Sequence, residues 1–489
     1  MDSDNTPQTA IARLARRTML QQTACGFGSL AASALAAQEL VTERTSAGPP
    51  AGGPSRKQGP TRTPRAKRII FLFMQGGVSQ VDSFDYKPQL QQYDGKTMPF
   101  DDARTLAKTG RRAVEQRLMN SPWQFKPYGE SGRHVSELFP HTAKHVDDLC
   151  FLHGMHTDGV AHGPATLFLH CGSTNFVRPS LGSWVYYGLG TENNDLPGFV
   201  SISPSIGNGG PRNYGAAFLP ARYQGTAIGT AGEESLAIDH LNRPGITDAS
   251  QRSQMELIEQ LNRRQIQRRG FSNGEFDAVL ESYELAWRMQ QVAPDVLDLS
   301  SESAHTLSEY GIDQPSTREF GKKCLLARRL CESGVRFVQV NYGDNSANPA
   351  WDQHSNLPKH ATHARAVDQP IAALLADLKR RGLLDDTIVW WGGEFGRTPY
   401  SQSNGTGRDH NPGGFTVWLA GGGFRPGTAY GATDEFGFSA VQGKVHMHDL
   451  HATLLHQLGL DHKQLTFRHA GRDFRLTDVY GRVVDPILS

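Results

Sequence analysis

Carboxylates and imidazoles recur in this chain beside short apolar runs. After Ile69–Met74 comes Gly76-Gly77-Val78-Ser79-Gln80-Val81-Asp82-Ser83-Phe84-Asp85. After Leu149–Leu152 come His153-Gly154-Met155-His156-Thr157-Asp158 and then His162-Gly163-Pro164-Ala165-Thr166. Trp351-Asp352-Gln353-His354 follows a fourth run, and Gly392-Gly393-Glu394-Phe395-Gly396-Arg397 follows a fifth. Gly407-Arg408-Asp409-His410-Asn411-Pro412 precedes a sixth. Oxygen and imidazole donors are what hard and borderline divalent cations take as ligands. Carboxylates crowded at one edge are costly without a counter-charge. A divalent metal ion is therefore the expected cofactor, with Zn, Mn, Ca and Mg all open. A single Asp or His after a strand is most often a loop cap, so the signal is the agreement of five loops.

These loops need a scaffold that gathers them. The runs Ile69–Met74, Leu149–Leu152, Phe199–Ile202, Val335–Val340, Thr387–Trp391 and Thr416–Leu419 read as strands buried on both faces. Helical patterns lie over Thr317–Glu332, Thr362–Arg381 and His448–Leu458, the last two stopping at Gly382 and Gly459. Strand–helix alternation predicts an α/β fold, a mostly parallel sheet with helices on both faces, as one domain from about Lys67 to the C-terminus. In such sheets ligands bind past the carboxyl ends of strands, where the polar loops fall. A long helical stretch, about 251–291, reads as an insertion.

The chain has 489 residues, 50 Lys+Arg against 49 Asp+Glu, and a formal charge of +1, so no global field draws it to nucleic acid. Residues 1–37 read as an export signal. Arg16-Arg17 precedes a mildly apolar Ala/Gly/Ser stretch, and Ala34-Leu35-Ala36 offers a small-x-small cleavage pattern. The paired arginine resembles a twin-arginine signal and implies a periplasmic or extracellular address. Beyond it no apolar run is long enough to span a bilayer. Residues 38–66, rich in Pro and Gly, read as a disordered linker. Five Cys exclude a disulfide scaffold. Cys324 and Cys331, about 10 Å apart along a helix, exceed the roughly 7 Å a disulfide tolerates and read as core thiols. The sequence leaves Cys150 and Cys171 open.

Taken together, the loops at Gly76–Asp85, Trp351–His354, Gly392–Pro399 and Gly407–Pro412 resemble the exported family called domain of unknown function 1501. That family in turn resembles the alkaline-phosphatase superfamily of sulfatases, phosphatases and phosphoglycerate mutases. The resemblance implies an alkaline-phosphatase-like fold and one or two divalent cations beside a nucleophile. It carries over Asp82 as a metal ligand, with Asp85 in reserve. Asp352 and His354 become a pair on one metal, Glu394 replaces the usual Asp-His or Asp-Asn pair, and His410 stands as the last metal histidine. Aligned with the sulfatase loop, His162 occupies the nucleophile position, where neither the Cys/Ser nor the loop Arg is present. His162 is open to three roles: ligand, general acid/base or phosphoryl acceptor. Thr166 is an alternative hydroxyl. The superfamily's C-terminal helix begins with a capping Asp, so His448-Asp449-Leu450-His451 reads as structural despite its metal-like look.

Two functions are then expected. The first is an exported metal-dependent hydrolase of phosphate or sulfate esters, its substrate a small molecule or glycan, with Arg397 or Arg408 clamping the oxyanion. The second is a non-catalytic exported binding protein that keeps the fold. Gly421-Gly422-Gly423 lacks the spacing of a nucleotide-binding loop, and the Arg263-Arg264 and Arg268-Arg269 pairs read as a solvated helix face.

Overall fold

The computed structural model describes residues 59–99, 116–238, 241, 245–269, 274–402 and 406–489. The expected export signal and most of the linker lie outside them. The strands in chain order are β1 (Arg68–Met74), β2 (Phe125–Tyr128), β3 (Arg133–Ser136), β4 (Leu149–His156), β5 (Phe199–Ile202), β6 (Thr226–Ile228), β7 (Phe337–Tyr342), β8 (Thr387–Gly392), β9 (Gly396–Ser401), β10 (Arg408–Asn411), β11 (Phe415–Ala420), β12 (Thr428–Tyr430), β13 (Ala432–Thr433), β14 (Ala440–Gln442), β15 (Val445–His446), β16 (Phe467–His469) and β17 (Arg472–Phe474). The main helices are α1 (His162–Cys171), α2 (Leu181–Leu189), α3 (Asp248–Arg269), α4 (Gly274–Leu297), α5 (Arg318–Glu332), α6 (Lys359–Arg380) and α7 (Met447–Gln457).

One sheet organises the chain, in the order β12-β4-β11-β8-β1-β7-β5-β6, with β15 also paired to β4. Neighbours are parallel except at β11, which runs antiparallel to both β4 and β8. The reversal follows from the connection. After β8 the chain makes the β9–β10 hairpin instead of a crossover helix, so it re-enters the sheet from the edge it has just left. That hairpin carries Arg397, Arg408 and His410 to the carboxyl edge of β8.

Alternation along β1 shows why helices cover both faces. Ile70, Leu72 and Met74 join a core with Phe320 and Leu325 of α5 and Ile371 and Leu374 of α6. Ile69, Phe71 and Phe73 join another with Phe168 of α1, Trp184 of α2 and Leu450 and Leu454 of α7. Strands buried on both faces need near-continuous apolar sequence, which made β1, β5 and β8 readable. β6, β12 and β15 are two or three residues long, too short to show a period. The helices α1 and α2 also went unread.

The helical insertion is two helices, α3 and α4, and Met289, Ala293 and Val296 of α4 pack into the α5–α6 side. The end of the expected linker, residues 59–66, lies against the fold: Gly59 donates to the Gly188 carbonyl at 2.9 Å, and Arg65 and Ala66 to that of Gln457 at 2.8 and 2.9 Å. Backbone pairing orders this segment although its composition is that of a linker. Cys150, Cys171, Cys324 and Cys331 are buried free thiols. Among the described residues no helix is long and apolar enough to cross a membrane.

Candidate metal centre

The loop after β1 must pass close to the loop after β7. Gly76 and Gly77 make this possible at φ 112° and 75°, a region that L side chains avoid. A Cβ on Gly76 would sit 2.7 Å from the Asp352 amide nitrogen. This closeness brings Asp352 and His354 beside the amino end of α1, where His162 is the first helical residue, and beside His410 on β10.

Four donors meet there. One ligand atom from each of His162, Asp352, His354 and His410 lies within 4.8 Å of every other. His354 Nε2 is 2.9 Å and His410 Nε2 3.3 Å from Asp352 Oδ1. His162 Nε2 is 3.2 Å from Asp352 Oδ2, and the two rings His354 and His410 bring their Nε2 atoms to 3.0 Å.

The opposite nitrogens fix the tautomers. His162 Nδ1 faces Glu394 Oε1 at 2.7 Å, His354 Nδ1 faces Gln402 Oε1 at 2.7 Å, and His410 Nδ1 faces the Val160 carbonyl at 3.0 Å. A carboxylate, an amide oxygen and a carbonyl only accept, so in the neutral rings each Nδ1 carries the proton and each Nε2 presents a lone pair. Three lone pairs then converge on one carboxylate with no hydrogen between them. His162 Nε2 is buried and, despite its nearness to Asp352, has no properly directed hydrogen bond. Ligands held tetrahedrally about 2.0–2.1 Å from an ion stand roughly 3.3 Å apart. The donor set and its spacing therefore fit a divalent cation.

The electrostatics agree. Burial alone would raise the Asp352 pKa, but the imidazoles of His162, His354 and His410 around it and the charge of Arg397 hold it far below the usual carboxylate range. Burial would lower His162, but Asp352 and Glu394 outweigh it and raise the imidazole to about 9. Burial lowers His410, against the pull of Asp352. The site calls for positive charge among these groups, from a proton or from a cation.

Of the expected ligands, the structure brings Asp352, His354 and His410 together, and His162 joins them as a fourth donor. Glu394 sits one residue further out. It is fully buried, takes the Gly76 N–H at 3.0 and 3.1 Å, and orients His162. Asp82 lies outside the group. It is engaged by Arg408, through Nε at 2.7 Å and Nη2 at 3.1 Å, and by the Ser79 hydroxyl at 2.5 Å. Asp85 is likewise taken up, by Thr433 at 2.5 Å and Lys87 at 3.0 Å.

The two arginines face inward. Arg397 Nη2 reaches Asp352 Oδ1 at 2.7 Å, and its other donors go to the carbonyls of Gly77, Arg408 and Gly76. Arg408 also binds the Thr398 carbonyl, and both guanidiniums are fully buried. Their geometry holds carboxylates of the protein in place, where the sequence suggested clamps for a substrate. Thr166 is fully buried, and its hydroxyl has no hydrogen-bond partner. Gln402 and the Val160 carbonyl escaped the sequence reading. A backbone carbonyl carries no sequence signal, and Gln402 becomes adjacent only because the β9–β10 hairpin folds back over His354.

The model of a family described as "Protein of unknown function (DUF1501)" matches residues 66–488. The chain belongs to that family. No curated protein matches it. Among solved structures it is similar to the PsFucS1 sulfatase from Pseudoalteromonas sp., at 11% identity over 87% of this chain and 72% of that one, with a TM-score of 0.37. It is also similar to a protein in the alkaline phosphatase superfamily from Vibrio parahaemolyticus, at 9% identity, 87% and 74% coverage and a TM-score of 0.34. A third likeness is to a mutant of TAB5 alkaline phosphatase with Mg bound, at 11% identity, 81% and 97% coverage and a TM-score of 0.31. At these scores the likenesses carry no argument about this chain's activity.

Proposed function

We propose that this protein is an exported, metal-dependent hydrolase of phosphate or sulfate esters, its substrate a small molecule or a glycan. One observation supports the reading most: three imidazoles, each with Nδ1 tied to an acceptor, aim Nε2 at a single carboxylate. Three nitrogens and one carboxylate suit a borderline cation such as Zn better than Mn, Ca or Mg, which prefer oxygen-rich shells. Such an ion supplies Lewis acidity and charge for an ester group in transfer. The chain's part is to hold that place. Asp352 and the imidazoles of His162, His354 and His410 bind, Glu394 and Gln402 set ring orientation, and Arg397 keeps Asp352 ionised. The twin-arginine reading of residues 1–37 belongs to this proposal, with cleavage near Ala36 tested by N-terminal sequencing of exported protein.

The test is metal content together with turnover of aryl phosphates and aryl sulfates. We expect about one equivalent of a first-row divalent metal and turnover that chelation removes. His162→Ala should lose both while the fold persists. If the mutant keeps its metal but loses an ionisation near neutrality from its pH–rate profile, His162 acts as acid or base. Turnover that survives chelation overturns the metal dependence, and absence of turnover across the panel overturns the hydrolase reading. A second reading, a non-catalytic binding protein, is favoured by the burial of Thr166, the hydroxyl the sequence offers in that loop. Bound metal with no turnover across the panel would establish it.

A further inference from the structure

A cavity of about 180 Å³ opens between the segment after β1, the β2–β3 hairpin and β4. Its lining includes Asp85, Tyr86, Arg133, His134, Phe151 and His153, and none of the residues assembled around Asp352. Arg133 is its unusual member. Among the described residues no carboxylate pairs with this guanidinium. Its hydrogen bond to the Gly427 carbonyl is long at 3.4 Å, and its Nε is buried without a partner. A guanidinium donor shielded from water and left unmatched is costly, and planar oxyanion recognition is what that fork does best.

The remaining wall suits the same chemistry. The Asp85 carboxylate, the one acidic group in the lining, is occupied by Lys87 at 3.0 Å and Thr433 at 2.5 Å, so it does not neutralise Arg133. His153 lies flat beside Phe151, with ring planes 3° apart and centroids at 5.7 Å, and its Nδ1 faces the Thr416 hydroxyl at 3.1 Å. In the tautomer whose Nδ1 accepts from the Thr416 hydroxyl, the ring presents Nε2–H as a donor. Tyr86 and His134 stack at 5.0 Å and form an aromatic border. Burial pushes the His153 pKa down; Asp85 opposes this, and the positive charges of Lys87 and Arg133 add to it, which keeps the ring neutral.

We infer that this cavity is a second ligand site, which takes the oxyanion of a small ligand, sulfate, phosphate or carboxylate, on Arg133 and His153. The ligand is either a free anion or the anionic group of a sugar. Calorimetric titration of the full chain with sulfate, phosphate, acetate and glucuronate at constant ionic strength tests it and separates the two sources. Saturable binding by at least one of these anions is expected, and it should persist after chelation of metal. Arg133→Gln should weaken it roughly tenfold or more without changing the metal content of the Asp352 cluster. Should that variant fail to fold, Arg133→Lys and His153→Asn provide the same reading, each with reduced affinity. Tighter binding of glucuronate than of acetate would assign the Tyr86–His134 border to a sugar ring; equal binding would assign the site to the free anion. Absence of saturable binding, binding lost on chelation, or variants that bind like wild type would overturn the inference.

Discussion

Three imidazoles gather at Asp352, and four others, His156, His446, His448 and His451, gather at the amino end of α7. In the second group the rings lie nearly as close as the 4.4 and 4.7 Å of the first: His156 and His446 are 4.9 Å apart by centroid, and His446 and His448 are 5.3 Å apart. Their nitrogens diverge, however. His446 Nδ1 caps α7 by accepting the His448 N–H, while Asp449 accepts the His446 N–H at 3.1 Å. His451 Nε2 goes to the Leu169 carbonyl at 2.8 Å, and His448 stacks on Tyr480. The Nδ1 atoms of His448 and His451 are buried without partners. Among the described residues only the Asp352 group brings three or more ligand atoms within 4.8 Å of one another. Proximity of rings does not make a metal site. A site needs ligand atoms that converge on one point, and the nitrogens of the α7 group diverge.

The same contrast appears in their charge. Burial first, and neighbouring imidazoles next, lower His448 to about 3. Burial lowers His451 to about 4, against the Leu169 carbonyl. His162 moves the other way because two carboxylates face it. One group is built to stay neutral and the other to receive positive charge.

The comparison breaks most sharply at its focus. Asp352→Asn should reduce bound metal to background by elemental analysis and leave Arg397 buried with no charged partner, at a cost of about 3–5 kcal/mol in chemical denaturation. Asp82→Asn should cost a similar amount, because Arg408 is fully buried beside it, yet leave metal content unchanged. Metal lost from a folded Asp82 variant would return Asp82 to the list of ligands. Glu394→Gln leaves the ligands in place but removes the charge behind His162, and metal affinity should fall about 10–100-fold in a competition titration.

A smaller effect sharpens the other side. His451 has a folded-state pKa below its unfolded value near 6.5, so the unfolded chain takes the proton first as pH falls. Its contribution to stability is full above about pH 6.5 and is lost progressively toward pH about 4, with a slope of about 1 kcal/mol per pH unit. His451→Asn should flatten that part of a stability–pH curve. An unchanged slope would show that the ring is not held neutral. The smallest effect is expected at Gln402→Ala, with metal affinity down by about tenfold or less, since a neutral amide orients His354 without adding charge.

The alternation of apolar runs and helices, and with it the α/β class, was legible in order along the chain because burial on both faces leaves a continuous apolar signature. The same pattern identified the loops at the carboxyl edge, and the family resemblance, not the pattern, implied the capping role of Asp449 that the capping box at α7 shows. Histidine density was a poor guide. Seven of the 19 His fall between His134 and His170, and only His162 of these reaches the cluster. What tertiary structure alone decided is which acidic side chain meets which cation. Asp82 and Asp352 look equivalent as polar residues after strands, yet the β9–β10 hairpin delivers Arg408 to the first and Arg397 with His410 to the second. Asp82 and Arg408 are 326 residues apart, and Asp352 and Arg397 are 45 apart, so neither pairing leaves a local pattern. The acceptors that set the tautomers include a backbone carbonyl and a neutral amide, groups whose role exists only once the chain has folded around them.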